Sequence, residues 1–313
     1  MRAIGVNEFG GPEQLEVLDL PEPHAGAREV RIRVHAATVN PTDTGLRSGA
    51  YGERPGDREG PYVPGMDAAG VIDEVGPDDE WWQVGDRVMA IVLPTGPHGG
   101  AYADQVVVPS ASVVRLPEGI DFVPGSTLLM NALTARLSLQ ALGLTAGQTI
   151  AVTGAAGAYG GYVVQLAKDD GLHVIADASE QDEELVRTLG AHEVVRRGDD
   201  VAQRILELAP DGVDGIADGS VQTDRLLPAI KDGGGLATIR GWSGPSERDI
   251  AVHPIMVFGA AERSDLLDRL RGQAQDGTLT LRVATVFPAE KAADAHRMLE
   301  GGGVRGRIVL DFS

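Results

Sequence analysis

One stretch near the middle of the chain, residues 149–168, limits the possible folds more than any other. It begins with TIAVT at 149–153, an uncharged, mostly apolar run that is typical of a strand buried on both faces. Three glycines then follow at a spacing of three, at Gly154, Gly157 and Gly160. Residues 161–168, GYVVQLAK, can form a helix with one apolar side. The stretch therefore predicts a strand, a glycine turn and a helix in succession.

The glycines of this turn would let the backbone come close to a bound group or to a neighbouring element. Without a Cβ atom, N–H groups at the start of a helix can face a pyrophosphate, and the helix can pack closely on the strand. The spacing is G-x-x-G-x-x-G, which taken alone also fits a glycine-rich turn in any α/β domain. A second predicted strand, 172–176, ends at Asp177, close to the offset of about 20 residues at which a carboxylate binds ribose hydroxyls. Together the two features predict a dinucleotide site. Its candidate residues are Gly154, Ala155, Gly157, Ala158, Tyr159, Gly160, Asp177 and Ser179.

Length and composition narrow the class of protein. The 313 residues allow about two domains. Cysteine is absent, so any metal would depend on histidine and carboxylates. The net charge of −19 disfavours nucleic acid and acidic membranes as partners. No apolar run approaches the ~20 residues that span a bilayer, and the N-terminus lacks an apolar signal-peptide core, so we expect a cytoplasmic protein.

The rest of the chain divides into two kinds of pattern. Up to about residue 117, short β-type runs alternate with glycine turns, which predicts a small antiparallel barrel or sandwich, interrupted by a polar segment without regular structure at 39–60. After a long helix predicted at 123–144, strands and helices alternate as far as residue 240, which predicts a parallel, doubly wound sheet. A final helix at 289–299 and a strand at 306–312 are expected to rejoin the first domain.

With these segments laid out, blocks spread over nearly the whole chain resemble one family. They are FGGPEQLEV, VNPTDTGLRSGAY, VPGMDAAGVIDEVG, VGDRV, GGAYADQVVVP, TGAAGAYGGYVVQLAK, VDGIADGSV and FPAEKAADAHRMLEGGGVRGRIVL. The family is the medium-chain dehydrogenase/reductase superfamily, in its zinc-independent quinone oxidoreductase (zeta-crystallin-like) branch. The resemblance implies an α/β protein with a GroES-like β-barrel domain at 1–120 and 258–313. It also implies a Rossmann domain, with a doubly wound parallel sheet, at 121–257, and a homodimer.

The resemblance also raises the question of zinc. Zinc-dependent relatives place a thiolate and a Gly-His-Glu triplet around the metal, whereas this chain has Asn40 in the first region and Gly65-Met66-Asp67 in the second. Neither methionine nor a lone aspartate replaces cysteine and histidine around a tetrahedral catalytic zinc. We therefore expect no metal.

Candidate catalytic residues follow from the same resemblance. Asn40, Asp43 and Tyr51 match positions that line the pocket beside the nicotinamide, where Asn40 or Tyr51 would donate to the substrate carbonyl and Asp43 would order the loop. The alternatives are a local turn or cap for Asp43 and surface packing for Tyr51. Related quinone reductases often carry tyrosine where this chain has Gly45, so we expect a wider pocket, which puts quinone as the substrate in doubt. Thr134 matches a cofactor-contacting threonine, with an ordinary helix threonine as the alternative.

These expectations combine into a predicted reaction. Without a metal, hydride chemistry favours activated acceptors, namely quinones or α,β-unsaturated carbonyls. The expected cofactor is NAD(P)H, leaning to NADH, because the segment 177–184 is acidic and has no cation before Arg187. A shift of one residue at the strand end would turn Asp177 away from the ribose, and Ser179 could then accept a phosphate. The alternatives are an enoyl-type reductase of a biosynthetic pathway and a catalytically silent nucleotide-binding sensor or interaction protein. RNA binding is a third, disfavoured by the charge.

Overall fold

The protein was analysed as a computed structural model that describes residues 1–51, 61–245 and 247–313. The chain forms two compact units. Unit 1 comprises Met1–Met130, Phe258–Gln275 and Leu281–Ser313, and unit 2 comprises Asn131–Val257 and Asp276–Thr280.

The strands and helices of the described residues are as follows. The strands are β1 (Arg2–Gly5), β2 (Glu16–Asp19), β3 (Glu29–Thr38), β4 (Asp67–Val75), β5 (Arg87–Ile91), β6 (Gln105–Pro109), β7 (Val113–Arg115), β8 (Thr149–Thr153), β9 (His173–Ala178), β10 (Glu193–Arg196), β11 (Val213–Asp218), β12 (Ile230–Thr238), β13 (Ala251–Pro254), β14 (Val283–Pro288) and β15 (Arg307–Asp311). The α-helices are α1 (Pro41–Ser48), α2 (Phe122–Gly125), α3 (Leu129–Leu142), α4 (Ala158–Asp169), α5 (Glu183–Leu189), α6 (Val201–Leu208), α7 (Ser264–Gln275) and α8 (Ala292–Glu300).

Unit 1 is built on a seven-stranded, mostly antiparallel sheet. Its strand order is β14-β15-β3-β4-β5-β7, with β6 pairing on β3, and β1 and β2 form a separate ribbon. Along β3 the buried side chains of Val30, Ile32 and Val34 alternate with more exposed neighbours, as the period of two predicts. The last strand, β15, pairs with β3, so the C-terminal segment does return to the first domain.

Unit 2 is built on a six-stranded parallel sheet of order β10-β9-β8-β11-β12-β13. Renumbered from β8, this is the order 3-2-1-4-5-6 of a doubly wound dinucleotide-binding fold. The strand order reverses between β8 and β11, and ligands of such sheets bind at that point, beyond the carboxyl ends of the strands. The predicted parallel, doubly wound sheet is confirmed.

Local elements differ from the prediction at two places that have clear physical reasons. The polar segment at 39–60 contains the helix α1, which begins with Pro41 and is followed by Gly49, a cap in the left-handed conformation at φ 75°. The single helix predicted at 123–144 is two helices, α2 and α3. Between them, the hydroxyls of Ser126 and Thr127 donate to the carbonyls of Val123 and Pro124 at 2.8 and 2.7 Å. These side chains give the carbonyls hydrogen-bond donors at the point where α2 ends.

The boundaries of the units also differ from the predicted domain ranges. Unit 1 extends to Met130, beyond the residue 120 that we expected, and the short segment Asp276–Thr280 belongs to unit 2. That segment is held by α4, where Gln165 Nε2 donates to Thr280 Oγ1 at 3.1 Å. A side-chain contact 115 positions away along the chain leaves no local signal in the sequence.

The helices are short compared with the thickness of a bilayer. Within the ranges that the structure describes, none is both long enough and apolar enough to cross a membrane.

Candidate functional site

The glycine loop lies between β8 and α4, at the point where the strand order of unit 2 reverses. Gly154 has a φ of +66°, a conformation that favours glycine, and its carbonyl accepts the Gly157 N–H at 2.9 Å. A Cβ atom on Gly160 would press on the Gly154 carbonyl and lie 2.8 Å from Ala155 Cα. The first glycine therefore makes the turn and the third lets α4 pack against it. Ala155 is buried, and Ala158 is the first residue of the helix.

Asp177 is the last residue but one of the neighbouring strand β9, and it is buried. Its Oδ1 accepts the N–H of Ala155 at 3.0 Å. Burial raises the pKa of Asp177, and hydrogen bonds from the Ala155 and Gly154 N–H groups and the charge of Arg197 act against that rise. The carboxylate thus fastens the glycine loop. Its binding to the ribose stays a prediction.

Sequence reasoning missed Asp218, at the end of β11, which organises the facing loop of the same sheet edge. Its Oδ1 accepts from Thr153 Oγ1 at 2.8 Å and from the Ser220 N–H at 3.1 Å, and its Oδ2 accepts the Thr223 N–H at 2.8 Å. Asp218 is only 1% exposed. The available signal was its place at the end of a predicted strand, because the carboxyl ends of parallel strands meet at one edge.

Tyr159 and Thr134 are linked through Ser138. The Tyr159 hydroxyl lies 2.7 Å from Ser138 Oγ, which also contacts the Thr134 carbonyl at 2.9 Å. Burial raises the pKa of Tyr159, so its hydroxyl stays protonated. Thr134 is half-buried on α3. Tyr159 thus joins α4 to α3 through Ser138. The cofactor contacts predicted for both residues stay predictions.

The structure brings two arginines to the end of β9 that the linear sequence did not place there. Arg196 ends β10, which pairs with β9, and the Arg197 N–H donates to the Ala178 carbonyl at 2.9 Å. Both arginines are exposed. Ser179, also at this end, donates to Asp182. The strand end therefore carries cations as well as the acidic residues that follow it.

In unit 1, Asn40 belongs to a buried polar cluster. Its Nδ2 donates to Asp67 Oδ2 at 3.0 Å, and its Oδ1 accepts from Arg307 Nη2 at 2.8 Å. Arg307 Nη2 also lies 2.9 Å from Asp67 Oδ2, and Thr38 donates to the same oxygen at 2.8 Å. The other Asp67 oxygen accepts the Met130 N–H at 2.8 Å. Arg307 and Asp67 form an ion pair that is almost fully removed from solvent.

This cluster decides whether zinc fits the residues present. Both oxygens of Asp67 already accept hydrogen bonds, and a guanidinium neutralises its charge. Adding Zn²⁺ would place a second cation beside Arg307 with only Asn40 and Met66 as further donors, which is not a tetrahedral zinc set. In the described parts of the chain there is no group of three or more histidine, cysteine, aspartate or glutamate residues that could hold a metal. The donor set at this position does not fit zinc.

Asp43 ties the start of α1 to the segment that precedes β4. It is fully buried, its Oδ2 accepts the Asn40 N–H and its Oδ1 accepts the Gly65 N–H, both at 2.8 Å. The Tyr102 hydroxyl donates to Oδ2 at 3.3 Å. Burial raises the pKa of Asp43 to about 7. These contacts agree with a loop-ordering residue and equally with a helix cap, the two interpretations that the sequence allowed.

The side chain of Tyr51 packs against Gly45 of α1. A Cβ atom on Gly45 would lie 2.8 Å from Tyr51 Cε2 and 2.9 Å from its hydroxyl. The ring of Tyr51 thus lies against Gly45, and the wider pocket expected there stays a prediction. Tyr51 remains 42% exposed. The rest of the predicted polar segment, 52–60, lies outside the described residues.

The chain matches two family models. One is the "Alcohol dehydrogenase GroES-like domain", over residues 26–118, and the other is "Zinc-binding dehydrogenase", over residues 189–310. The GroES-like domain expected in unit 1 is thereby confirmed, and the second model describes a family whose name includes zinc.

Individual relatives match over almost the whole chain. A "Quinone oxidoreductase" of Mus musculus is 32% identical over 99% of this chain and 97% of its own length. An "NADPH-dependent alkenal/one oxidoreductase, chloroplastic" of Arabidopsis thaliana is 30% identical over 99% of this chain and 79% of its own length. A mycobacterial protein solved in complex with NADPH is 28% identical, with a TM-score of 0.88 over 99% of this chain and all of that one. The chain therefore belongs to the medium-chain dehydrogenase/reductase superfamily, in its quinone oxidoreductase (zeta-crystallin-like) branch.

Proposed function

We propose that this chain reduces a quinone or an α,β-unsaturated carbonyl by hydride transfer from NAD(P)H, without zinc. The observation that carries the proposal is the glycine loop of unit 2, which presents a helix start at the point where the strand order reverses. The named activities of the mouse and Arabidopsis relatives support the two acceptor classes. Zinc independence is supported by Asp67, which matches the last position of the Gly-His-Glu triplet and is already neutralised by Arg307.

The glycine loop fits a dinucleotide in its donor groups and in its shape. The N-terminus of α4, from Ala158 onward, would hold the pyrophosphate, because the first N–H groups of a helix have no acceptor within it and lie at the positive end of its dipole. The N–H groups of Ala155 and Gly157 shape the loop, since they donate to Asp177 and to the Gly154 carbonyl. Asp177 would hold the glycine loop in place, and Asp218 would hold the loop that follows β11. When bound, the reduced nicotinamide supplies the hydride. The protein supplies position and a donor for the oxygen that becomes negative.

Tyr51 is the residue that we assign to that donor role. Its side chain is 42% exposed, whereas Asn40 is 4% exposed and its amide contacts Asp67 and Arg307. A hydroxyl at the surface of unit 1 can reach a carbonyl oxygen, while a buried amide serves to hold the loop. Asn40 and Asp43 are accordingly positioning residues in this proposal.

The choice between the two cofactors depends on the end of β9. The acidic residues from Asp177 onward favour NADH, since they repel a 2′-phosphate. Against this, Asp177 is engaged by the glycine loop, and Arg197 lies at the same strand end. We therefore propose that NADPH is accepted at least as well as NADH. Replacing Arg197 by alanine should weaken NADPH binding and leave NADH binding nearly unchanged, as measured by fluorescence titration.

The activity is tested by following the oxidation of NADH and NADPH with the purified chain and a panel of quinones, enones and enoyl thioesters. Turnover of quinones or simple enones supports the proposal, and turnover restricted to enoyl thioesters would indicate the enoyl-type reductase instead. Cofactor binding without turnover of any acceptor would overturn the proposal and indicate a silent nucleotide-binding protein.

We further propose a cytoplasmic homodimer that acts on small molecules and has no nucleic-acid partner. The dimer is suggested by the family resemblance, and the absence of a nucleic-acid partner by the net charge of −19. Light scattering coupled to size-exclusion chromatography measures the mass in solution, and the mass of a monomer would contradict the dimer.

A further inference from the structure

A chain of buried hydrogen bonds in unit 1 runs from α8 to both ends of α1. His296, on α8, is fully buried, and each of its ring nitrogens lies near one polar group. Its Nε2 lies 3.2 Å from the Tyr102 hydroxyl, and its Nδ1 lies 3.5 Å from Arg47 Nη1. Tyr102 continues to Asp43 at the start of α1, and Arg47 lies in the last turn of the same helix.

The direction of every bond in this chain is determined by its members. An arginine can only donate, so Nδ1 of His296 accepts and its Nε2 carries the proton. The Nε2–H then donates to Tyr102, which leaves the tyrosine proton for Asp43. Burial, followed by the charge of Arg47, lowers the pKa of His296 to about 3, so the ring stays neutral as this arrangement needs. Burial also raises the pKa of Tyr102, which keeps its proton.

The chain of hydrogen bonds is anchored at the end where Arg47 lies. Arg47 Nη2 pairs with Glu300 Oε1 at 2.6 Å, and Arg47 Nε donates to the Gly10 carbonyl at 3.1 Å. Glu300 is the last residue of α8, so two residues of that helix hold Arg47. The helix α1 is thus fastened from α8 at both ends, once through Tyr102 and Asp43 and once through Arg47.

We propose that His296 is a positioning residue of the reductase reaction, which fixes α1 and thereby the placement of Asn40 and Tyr51. The inference rests on the proposed function, because it assigns a purpose to the loop that we expect to face the acceptor. His296 touches neither Asn40 nor Tyr51 in the contacts above, so it acts only through Tyr102, Asp43 and Arg47. Loss of its ring should therefore affect the acceptor step and spare cofactor binding by the glycine loop of unit 2.

The test compares His296→Leu with His296→Gln. Leucine fills a similar volume and removes both polar contacts, while glutamine keeps an N–H that can reach Tyr102. We expect His296→Leu to lower kcat/KM for the acceptor by about tenfold to a hundredfold, the size of effect that a small misplacement of a reacting group produces. The dissociation constant for the cofactor should change less than about twofold. Glutamine should restore most of kcat/KM. Arg297→Ala, an exposed change on the same helix, is the matched control and should leave kcat/KM unchanged.

A second readout does not depend on turnover. Hydrogen exchange of the backbone at residues 40–51 should become faster in His296→Leu and stay as in the wild type in Arg297→Ala. Nitrogen NMR should find the wild-type His296 ring neutral with its proton on Nε2. If the leucine variant does not fold, Tyr102→Phe removes only the hydroxyl that transmits the contact and should give the same two effects.

The two proposals can fail separately. Unchanged exchange at 40–51 and unchanged kcat/KM in His296→Leu and Tyr102→Phe would overturn the positioning role, and so would a ring protonated on Nδ1. Absence of turnover in the wild type with every acceptor would overturn the proposed function alone, since the exchange and NMR measurements still decide whether His296 holds α1.

Discussion

Single residues decide the shape of the region around α1 and Tyr51, where we propose that the substrate carbonyl binds, and Gly45 is the clearest case. It lies inside α1, where alanine would ordinarily stabilise the helix by about 1 kcal/mol. A Cβ atom at this position would meet the ring of Tyr51, which is the movable end of a side chain. We therefore expect Gly45→Ala to leave the free energy of unfolding unchanged or slightly higher, while it displaces Tyr51 and lowers kcat/KM by about tenfold, the loss of one positioned hydrogen bond.

Gly272→Ala is the matched control for this change. Gly272 also lies inside a helix, α7, but a Cβ atom there has no neighbour within 4 Å. It should show the gain in stability measured by urea unfolding without any change in kinetics. A Gly45→Ala enzyme with wild-type kcat/KM would show that Tyr51 is not needed at its present place.

The raised pKa of Asp43 predicts that the free energy of unfolding depends on pH. Its pKa is raised by burial from 3.8 in the unfolded chain to about 7, with Asp67 adding to the rise and Arg307 and the Asn40 and Gly65 N–H groups opposing it. The folded protein therefore binds this proton more tightly than the unfolded chain. The resulting stabilisation is present in full below pH 4 and is lost as the pH rises to about 7, by a few kcal/mol.

Asp43→Asn removes this titration, so the stability of the wild type relative to the variant should fall between pH 4 and pH 7 and stay constant above that. Urea unfolding at a series of pH values measures the difference. His296 titrates with the opposite sign, because its lowered pKa costs stability as the pH falls below 6.5, and both proteins share that loss. Parallel curves for the two proteins would contradict the assignment to Asp43.

At the scale of elements, the site of unit 2 depends on how closely α4 approaches β8. A Cβ atom on Gly160 would press on backbone atoms of Gly154 and Ala155, which cannot move aside as a side chain can. We expect Gly160→Ala to lower the free energy of unfolding by about 1–3 kcal/mol and to weaken cofactor binding at least tenfold. Thermal unfolding and cofactor titration measure the two effects. A stable Gly160→Ala protein with wild-type cofactor affinity would mean that the loop does not hold the dinucleotide.

At the scale of the whole molecule, net charge is the property that selects partners. A chain of charge −19 repels phosphate backbones, and nucleic-acid affinity depends mostly on cationic contacts. We expect no binding of RNA or duplex DNA by fluorescence anisotropy at low salt, where such binding would be strongest. Tight binding that weakens steeply with added salt would contradict this and would support a nucleic-acid role instead.

The sequence by itself determined the features whose signals are local. The strand, glycine turn and helix at 149–168 lie where the pattern predicted them. Apolar runs and glycines determine backbone conformation within a few residues of themselves, so a short stretch of sequence carries the whole signal. The alternation of strands and helices likewise predicted the parallel sheet of unit 2. The helix α1 escaped prediction because the proline, glycine and polar residues within it resemble a turn-rich loop, although Pro41 at its start and Gly49 after its end are local helix signals.

The tertiary structure decided what distant residues do to one another. It paired Asp67 with Arg307, brought Arg197 beside Asp177, laid Tyr51 over Gly45 and joined His296 to Asp43 through Tyr102. None of these relations has a local signal, because a side chain's partner depends on how strands and helices pack. The sequence could therefore predict a cofactor class, while the assignment of roles around the acceptor required the fold.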